Sequence, residues 1–393
     1  MGGKVDFNNT ELAFAYKNSW VLTRDYTIFG LMRFNALVNT GIAVADAMVK
    51  SGLSFPVVLG IRPTVFPLFC GGSSLGKSIP KINQLYQYGI DSILDYGVEG
   101  KESDEDYERT AKAIKEAIIF ATKHDGVRIV CSKFTSLIPF RILEKLHAKE
   151  TLTEYESARY KACKQRIDEI AELAFQHKIA LFVDAEESWI QQPLDDMTLE
   201  MMRKYNKEQP IIYNTIQLYL QPRLADFQKM AKTAKAENFI YAAKLVRGAY
   251  MEKEADFAQK RGLKNPLQVS KENTDKDYDA AVAFALQNIE YTSVCVATHN
   301  EDSTMKAVHL AEQLKIPANH PHLNFAQLLG MSDLISFNLA KAGYKVSKYM
   351  PYGPVKEVLP YLIRRAQENS SVSGQMSREL QLHHKEMKRR RLL

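Results

Sequence analysis

The sequence lacks the cysteine spacing of a metal site or a disulfide framework. Its four cysteines, Cys70, Cys131, Cys163 and Cys295, are far apart in the chain and form no C-x-x-C pair. Structural zinc sites and disulfide-rich scaffolds need closely spaced or regularly paired cysteines. We therefore expect no metal site and no disulfides, as is typical of a protein in a reducing compartment.

Long apolar runs are also missing. Charge or proline interrupts every apolar stretch well short of the ~20 residues that a transmembrane helix needs. The first residues, MGGKVD, do not have the charged and then apolar layout of a secretory signal. We expect a protein that is cytoplasmic or peripherally attached to the inner face of a bacterial membrane, with a mitochondrial location as the alternative.

Composition and charge are those of an ordinary globular protein. The 393 residues are 46% hydrophobic, which allows a large core in one or two domains. The net charge of +6 favours an anionic cofactor, an anionic substrate or peripheral contact with a membrane, and it does not demand nucleic acid. The last residues, KEMKRRRLL, predict a basic tail that is exposed to solvent or contacts anionic lipid.

One short motif suggests a nucleotide site. The stretch GGSSLGKS matches the phosphate-loop pattern G-x-x-x-x-G-K-[ST], in which Lys77 would reach the terminal phosphate and Ser78 would bind the metal. A true phosphate loop follows a strand and opens a helix. Here the proline-containing segment IRPTVFPLFC precedes the match, and Pro80 follows it. We interpret the match as a coincidence of small residues.

From residue 87 onward, apolar β-branched runs alternate with amphipathic stretches of helical period. The predicted strands are DSILDYG, VRIVCSK, IALFVDAE, PIIYNTIQLYL, YAAKLVRGAY, SVCVATHN, HLNFAQLLG and KVSKYMPYG. Eight strand-then-helix units predict an α/β protein with a closed (β/α)8 barrel, and a doubly wound open sheet is the alternative. The chain thus divides into a helical N-terminal region (1–86), a barrel (87–378) and a basic tail (379–393).

Polar side chains gather where the predicted strands end, which is where barrel enzymes have their active sites. They are Asp95, Lys133, Asp184 with Glu186 and Glu187, Gln217, Lys244 with Arg247, Thr298 with His299 and Asn300, and Tyr349, followed by Arg364 and Arg365 on the next helix. A pocket rich in lysine and arginine suits a carboxylate or a pyrophosphate. No G-x-G-x-x-G follows a strand, which argues against a Rossmann dinucleotide site. These residues indicate a barrel enzyme with an anionic cofactor and a carboxylate substrate.

Several longer motifs occur in a fixed order along the predicted barrel. They are SKFTSL, VDAEES, YNTIQLYL, AAKLVRGAYMEKE, VATHNED, FAQLLGMSD and YMPYGPVKEVLPYLIRRAQENSS. Together they closely resemble the proline dehydrogenase (proline oxidase) family in its monofunctional FAD-dependent form, from about residue 85 to 372. The resemblance implies a distorted (β/α)8 barrel of TIM type, whose eighth helix lies over the strand ends.

The resemblance implies oxidation of L-proline to Δ1-pyrroline-5-carboxylate, with a hydride passing to N5 of a non-covalently bound FAD and the electrons to a membrane quinone. The implied catalytic residues are Asp184, Lys244 and Lys133, with Asp184 helping to fix Lys133. The implied substrate-binding residues are Lys133, Arg364 and Arg365 for the carboxylate, and Tyr250, Leu328, Tyr349 and Tyr361 around the ring. The implied flavin-binding residues are Ala185, Gln217, Lys244, Arg247, Gly248, Ala249, Thr298 and His299.

In one motif this chain departs from many members of the family. Many bacterial members of the family read R-L-V-K-G-A-Y, whereas this chain has Lys244 in the first position and Arg247 in the fourth, which leaves the contact with flavin N5 open.

Hydroxyproline dehydrogenases share most of the same motifs. The family has tyrosine before MPYGP when proline is the substrate and serine when 4-hydroxyproline is, so Tyr349 favours proline. A phosphate-loop NTPase and a non-catalytic anion-binding barrel remain as alternatives of other classes.

Overall fold

The computed structural model describes residues 5–51, 54–97, 103–371 and 373–393. The chain forms two compact units, one from Met1–Glu99 together with Gln327–Leu393 and the other from Gly100–Ala326. The first unit therefore joins both ends of the chain. The boundaries at residues 86 and 378 that the sequence suggests stay a prediction.

Eight parallel strands form a closed barrel in which the strands follow one another in chain order. They are β1 (Ile90–Tyr96), β2 (Val127–Ser132), β3 (Ala180–Val183), β4 (Ile212–Gln217), β5 (Tyr241–Val246), β6 (Thr292–Ala297), β7 (Leu323–Leu328) and β8 (Val346–Tyr352). Each strand lies within or overlaps one of the predicted apolar runs. The predicted (β/α)8 fold is confirmed, and the open doubly wound sheet is excluded.

Helices precede the first strand and follow every strand. The N-terminal ones are α1 (Thr10–Ala13), α2 (Ser19–Met32), α3 (Asn35–Lys50), α4 (Ser54–Ile61), α5 (Phe66–Phe69) and α6 (Leu75–Tyr86). Those between strands are α7 (Asp104–Ala121), α8 (Phe140–His147), α9 (Glu154–His177), α10 (Ser188–Tyr205), α11 (Arg223–Ala236), α12 (Met251–Arg261), α13 (Lys271–Gln287), α14 (Glu301–Gln313) and α15 (Asp333–Lys341). After β8 come α16 (Leu359–Ser371) and α17 (Ser373–Arg389).

Local capping residues fix where the helices of the second unit begin. At the start of α9, the Thr153 hydroxyl accepts a hydrogen bond from the Glu156 N–H, and the Glu156 carboxylate accepts one from the Thr153 N–H. This reciprocal arrangement satisfies two backbone donors that the first helical turn leaves unpaired. Asn300 caps α14 in a simpler way, by accepting from the Ser303 N–H at 2.9 Å. That cap lies two residues after Thr298 and fixes the loop that carries it.

The strand register aligns the carboxyl ends of neighbouring strands within each unit. In the first unit, β1 pairs with β8 from Ile90 opposite Val346 to Tyr96 opposite Tyr352. In the second unit, Lys244 of β5 lies opposite Thr215 of β4 on one side and Cys295 of β6 on the other. Residues that follow these strands therefore emerge at the same edge of the sheet.

The first unit contains a buried network of charged side chains. Lys17 lies 3.0 Å from Asp25 and 3.1 Å from Asp333, and Lys348 of β8 lies 2.9 Å from Asp333. Asp333 is the acid of the FAQLLGMSD motif and also accepts a hydrogen bond of 2.8 Å from Tyr16. Burial would raise the pKa of Asp333, but the two lysines outweigh it and hold that pKa far below its ordinary value. Removing any one charge would leave a partner buried and uncompensated.

The basic C-terminal segment is partly exposed, as the sequence predicts, and partly bound to other residues of the first unit. Residues 373–389 form helix α17, on which Glu386 is fully buried. Arg389 and Arg390 bind Glu386 at 2.8 and 2.7 Å, and Arg390 also donates to the backbone oxygen of Phe14 at 2.7 Å. Arg390 therefore connects the end of the chain to its beginning within the first unit, because buried Glu386 and the backbone oxygens of Phe14 and Lys17 supply acceptors that the sequence pattern does not reveal.

Candidate functional site

In the second unit, the predicted site residues occur at the carboxyl ends of five consecutive strands. They are Lys133 after β2, Asp184 and Ala185 after β3, Gln217 at the end of β4, Lys244 within β5 with Arg247, Gly248, Ala249 and Tyr250 after it, and Thr298 and His299 after β6. Ala249 is exposed and the others are buried or half-buried. The strand ends therefore bring cations, amides and hydroxyls to one edge of this unit.

Asp184 and Lys244 of this group form a buried ion pair. The Lys244 ammonium donates to Oδ1 of Asp184, and the Cys131 thiol donates to the same oxygen at 3.0 Å. Burial would raise the pKa of Asp184, but the positive charges of Lys244 and Lys133 keep it below its ordinary value. Burial would lower the pKa of Lys244, but the Asp184 carboxylate keeps it above its ordinary value. Both groups are therefore charged at neutral pH.

Glu186 is a site residue to which the sequence assigns no role. Its carboxyl accepts hydrogen bonds from the hydroxyls of Thr135 at 2.7 Å and Tyr250 at 3.4 Å. Burial raises the pKa of Glu186 to about 7, against the opposing effects of the Lys133 charge and the Thr135 hydrogen bond. Glu186 can therefore change its charge near neutral pH beside Lys133. The sequence shows only the acidic run DAEE, which does not reveal that Glu186 has an environment different from that of Asp184.

Gln217 connects the ends of three strands through its side-chain amide. Its Nε2 donates to the backbone oxygen of Glu186 at 2.8 Å, and its Oε1 accepts from the backbone N–H of Ala249 at 3.3 Å. The backbone N–H of Glu186 donates to Gln191 Oε1 at 2.8 Å, so both sides of this peptide are hydrogen-bonded. The amide thereby holds the segments after β3 and β5 in a fixed relation.

Arg247 is held by a set of acceptors on α13, α14 and the end of β6. Its guanidinium donates to Asp275 at 2.6 Å, Thr298 Oγ1 at 2.6 Å and Ser303 Oγ at 2.9 Å. It also lies over the ring of Tyr278, with 4.4 Å from Cζ to the ring centroid. Sequence analysis identified Arg247 and Thr298 but missed Asp275 and Ser303. The guanidinium is thus oriented before any ligand binds.

Gly248 occupies a position that no larger residue can take. Its φ is +144°, and a Cβ built on it would lie 1.8 Å from Cδ1 of Tyr219. Both the backbone conformation and the contact exclude a side chain here. The segment after β5 therefore lies directly against the Tyr219 ring.

In the first unit, three predicted substrate-lining residues share one apolar cluster. Tyr361 is buried within the cluster, and Leu328 and Tyr349 pack against it. Arg365 lies with its guanidinium carbon 5.3 Å from the centroid of the Tyr361 ring. Arg364 precedes it on α16, and both arginines are half-buried. The predicted aromatic and cationic residues of this unit therefore occur together on β8, the end of β7 and α16.

The GGSSLGKS stretch folds as a helix start that is unlike a phosphate loop. It follows helix α5, and Ser74 caps α6 by accepting from the Lys77 N–H. The Ser78 hydroxyl is buried and donates to the backbone oxygen of Ser74 at 3.0 Å. A Cβ on Gly72 would lie 2.6 Å from the backbone carbon of Lys77, so this loop folds back on its own helix where a phosphate would have to bind. The geometry agrees with the interpretation of the motif as a coincidence.

Comparison with known sequences gives one family. The family described as Proline dehydrogenase matches residues 78–378, a range that contains every predicted site residue. The protein named proline dehydrogenase 1, mitochondrial, of Dictyostelium discoideum is 32% identical over 98% of this chain and 75% of its own length. The hydroxyproline dehydrogenase of Xenopus laevis is 30% identical over 96% of this chain and 88% of its own length.

Comparison with solved structures supports the fold. Proline utilization A (PutA) from Bdellovibrio bacteriovorus, in a form inactivated by N-propargylglycine, matches 95% of this chain with a TM-score of 0.72 and 20% sequence identity. At that identity the likeness concerns the fold alone. This chain spans 40% of the length of that protein.

Proposed function

Because this chain belongs to the proline dehydrogenase family, we propose that it is a flavin-dependent oxidoreductase that oxidises L-proline to Δ1-pyrroline-5-carboxylate. The observation that carries the proposal is the run of oriented donors at the ends of β4, β5 and β6, in which Lys244 and Arg247 are each held by buried or half-buried acceptors. A hydroxyproline dehydrogenase is the second candidate, because one relative of similar identity carries that name.

The residues present fit a flavin. The ring system and pyrophosphate of a flavin nucleotide need hydrogen-bond donors and cations, and the planar ring needs a backbone without a side chain in its way. Gly248 meets the second requirement because it has no side chain, and its contact with Tyr219 requires glycine at this position. We propose that FAD binds non-covalently. The residues that would contact it are Ala185, Gln217, Lys244, Arg247, Gly248, Ala249, Thr298 and His299. When bound, the flavin supplies the acceptor for the two electrons that leave the substrate.

The Asp184–Lys244 pair would act by positioning. Asp184 keeps Lys244 protonated in a buried place, where an unpaired lysine would lose its proton. The Cys131 hydrogen bond to the same carboxylate oxygen fixes the carboxylate plane. A fixed positive charge of this kind stabilises negative charge that develops beside it, and it needs no rearrangement when the reaction occurs.

Substrate binding would depend on cations and apolar rings. We propose that Lys133, Arg364 and Arg365 bind the carboxylate, since charge-assisted hydrogen bonds to a carboxylate are stronger than neutral ones. We propose that Tyr250, Leu328, Tyr349 and Tyr361 surround the substrate ring and exclude water from it. In support, Arg365 lies over the Tyr361 ring, which restricts the orientation of both side chains.

We also propose that the electrons pass to a membrane quinone and that the protein works in mitochondria. The family membership supports the first statement, and the name of the Dictyostelium relative favours the second over a bacterial membrane.

The proposal is tested by measuring proline-dependent reduction of a soluble dye by the purified yellow protein. Arg364→Met and Arg365→Met should each lower kcat/KM by roughly a hundredfold, because a buried charged hydrogen bond is lost. Arg203→Met is the matched control, since the Arg203 side chain is 43% exposed and pairs with the exposed Glu237 on the surface of the second unit. N-propargylglycine should inactivate the protein with time, and proline should protect it. A colourless protein without proline-dependent dye reduction would overturn the proposal.

A further inference from the structure

Arg247, the first residue after β5, is held through all three nitrogens of its guanidinium. Nε donates to Asp275, Nη1 to Thr298 and Nη2 to Ser303, at 2.6, 2.6 and 2.9 Å. A guanidinium carries five N–H groups, one on Nε and two on each Nη. Among the residues that the structure describes, these bonds use one N–H of each nitrogen. Nη1 and Nη2 can therefore each donate once more, which is the number of bonds that a bidentate contact with a phosphate uses.

The Ser303 hydroxyl is fixed as an acceptor toward Arg247. Its oxygen donates to Oδ1 of Asp279 at 2.6 Å, so its single hydrogen is already used and a lone pair is left for the guanidinium. The backbone N–H of Ser303 donates to the capping Asn300 side chain at 2.9 Å. The position of Ser303 thus depends on the first turn of α14, and its direction depends on an acid of α13.

Asp275 holds Arg247 with one carboxylate oxygen and a surface lysine with the other. Oδ1 accepts from Arg247 Nε, and Oδ2 accepts from Lys271 Nζ at 2.6 Å. Burial would raise the pKa of Asp275, but the hydrogen bonds from Lys271 and Arg247 keep it below its ordinary value. Arg247 and Asp275 are only 22% and 27% exposed, whereas Lys271 is 68% exposed. The contact of Asp275 with Arg247 can therefore be separated experimentally from its contact with Lys271.

The charges that these hydrogen bonds connect do not cancel. The cluster contains three cations and two acids, so its net charge is +1; its members are Arg247, Lys271, Lys306, Asp275 and Asp279. A net positive charge with two available donors suits an anion. In an oxidised flavin nucleotide the ring system is neutral, and the diphosphate carries the negative charge.

We propose that Asp275 and Ser303 are positioning residues, which hold Arg247 in the orientation that binds the diphosphate of the flavin nucleotide. Both act through Arg247 and need not touch the cofactor. An arginine without such acceptors would lose rotamer freedom when it binds, whereas one that is already restricted loses less and binds more tightly. The inference rests on the proposed function, from which it takes the contact of Arg247 with FAD.

A purely structural role would be to join α13 to α14, which pack against each other. The two roles differ in their effect on FAD affinity. The experiment is dilution of the full-length yellow protein, with release of FAD followed by the rise in flavin fluorescence, which gives the Kd. Asp275→Asn should raise the Kd for FAD by about tenfold or more, and Ser303→Ala by about threefold or more, because Arg247 loses a charged or a neutral acceptor.

A double-mutant cycle shows whether Asp275 acts through Arg247. Arg247→Met should raise the Kd at least as much as Asp275→Asn does. The double variant Asp275→Asn/Arg247→Met should then bind FAD about as well as Arg247→Met alone, because no guanidinium is left to position. Independent, additive effects of the two substitutions would overturn the inference.

Lys271→Met is the matched control, since it removes the cation on the other oxygen of the same carboxylate. Its Kd for FAD should stay within about twofold of the parent value. Melting temperatures measured with saturating FAD report the structural contribution of each contact. A lower melting temperature in Asp275→Asn with an unchanged Kd would show that this residue only joins the helices, and would refute its role as a positioning residue.

The absorbance spectrum and reduction potential of the bound flavin test the assignment to the diphosphate. Both should be the same in Asp275→Asn and in the parent, because the diphosphate is not part of the conjugated ring. A changed potential would place Arg247 beside the ring and overturn the assignment.

The dye assay with proline separates this inference from the proposed function. A parent that oxidises proline and whose Kd for FAD is unaffected by Asp275→Asn refutes the inference alone. A parent that binds FAD, more weakly in Asp275→Asn, and does not oxidise proline refutes the proposed activity alone.

Discussion

Asp184, directly after β3, and Lys244, within β5, form an ion pair whose side chains are only 12% and 8% exposed. Such a pair contributes little net stability, because removing two charges from water costs about as much as their attraction returns. It is costly to disrupt on one side only, since the remaining charge stays buried. The pair is therefore best explained by what a fixed charge does for the reaction.

This explanation predicts a non-additive response to substitution. Lys244→Met and Asp184→Asn should each lower the free energy of unfolding by roughly 3–5 kcal/mol. The double variant Asp184→Asn/Lys244→Met should be more stable than either single variant, because it leaves neither charge unpaired. All three should lack proline-dependent dye reduction. Urea unfolding and the dye assay provide the measurements.

The control for that series is Lys260→Met, which removes a lysine that is 73% exposed and pairs with Asp256, itself 58% exposed. It should change stability by less than about 1 kcal/mol. A double variant whose loss equals the sum of the two single losses would show that the two charges act independently.

Glu186 gives a prediction about pH. Burial raises its pKa to about 7, so between roughly pH 4.5 and 7 the folded protein holds a proton that the unfolded chain has released. The resulting stability is present at low pH and is lost as the pH rises through 7. Glu186→Gln cannot ionise, so its stability relative to the parent should increase over this interval. The largest difference expected is on the order of 3 kcal/mol, measured by unfolding at several pH values.

Ionisation of Glu186 should also affect substrate binding. Lys133, Asp184 and Glu187 are the charged groups whose fields act on it. Above pH 7 the Glu186 carboxylate would compete for the Lys133 charge, so the KM for proline should rise in the parent and rise less in Glu186→Gln. Glu379 is the matched control, because burial raises its pKa to about 7 as well and it lies in the first unit. Glu379→Gln should change the stability profile and leave the pH dependence of KM as it is in the parent.

The eight strands and the functional strand ends could be predicted because both depend on local patterns. Apolar β-branched runs set the strands, and Lys133, Gln217 and Thr298 could be assigned to strand ends by position alone. The ion-pair partner of Asp184 could not be predicted from such local patterns. That Asp184 also fixes Lys133 stays a prediction from the resemblance, and the ion pair of Asp184 with Lys244, 60 residues further along the chain, has no signal in the local pattern. Periodicity shows which residues are buried and does not show which buried charges meet.

The same limit explains what was missed around Arg247 and at the C-terminus. Asp275 lies on α13, whose helical pattern gives no sign that one of its acids binds an arginine after β5. Arg390 belongs to a run that reads as a solvated tail, yet it binds Glu386 and the backbone near Phe14. These contacts depend on tertiary packing, which residue types alone do not specify. The position of α16 over the strand ends stays a prediction from the resemblance.

Gly248 gives a prediction about cofactor retention. Gly248→Ala must adopt a φ of +144° and place a methyl group 1.8 Å from the Tyr219 ring, so the segment after β5 has to move. We expect a lower melting temperature and a ratio of flavin to protein absorbance reduced by at least about half, since displaced backbone would weaken the proposed flavin site.

Gly343→Ala is the matched control for the effect of a positive φ alone. Gly343 has a φ of +91°, and a Cβ there would meet nothing within 4 Å. That variant should lose roughly 1 kcal/mol of stability and keep its flavin. Equal loss of flavin in both variants would mean that the Gly248 contact has no special role.

Tyr349 sets the expected choice between two substrates that differ by one hydroxyl. Tyr349 packs against the apolar cluster that contains Tyr361, and so does Leu328. This packing restricts the position of the Tyr349 ring. A hydroxyl on the substrate ring would meet an aromatic surface without a partner for its hydrogen bond. Crowding and an unpaired polar group each cost about 1–3 kcal/mol, so proline should be preferred by roughly a hundredfold or more in kcat/KM.

Substitution at this position should change that preference in a defined way. Tyr349→Ser opens space and adds a hydroxyl, so kcat/KM for proline should fall while the ratio of proline to trans-4-hydroxy-L-proline narrows by about tenfold or more. Tyr349→Phe keeps the ring and loses only the phenol oxygen, so it should retain the preference for proline. Steady-state kinetics with both substrates on all three proteins measure this. A parent enzyme that uses both substrates equally well would remove the basis for proline over hydroxyproline, since the remaining motifs are shared by both kinds of enzyme.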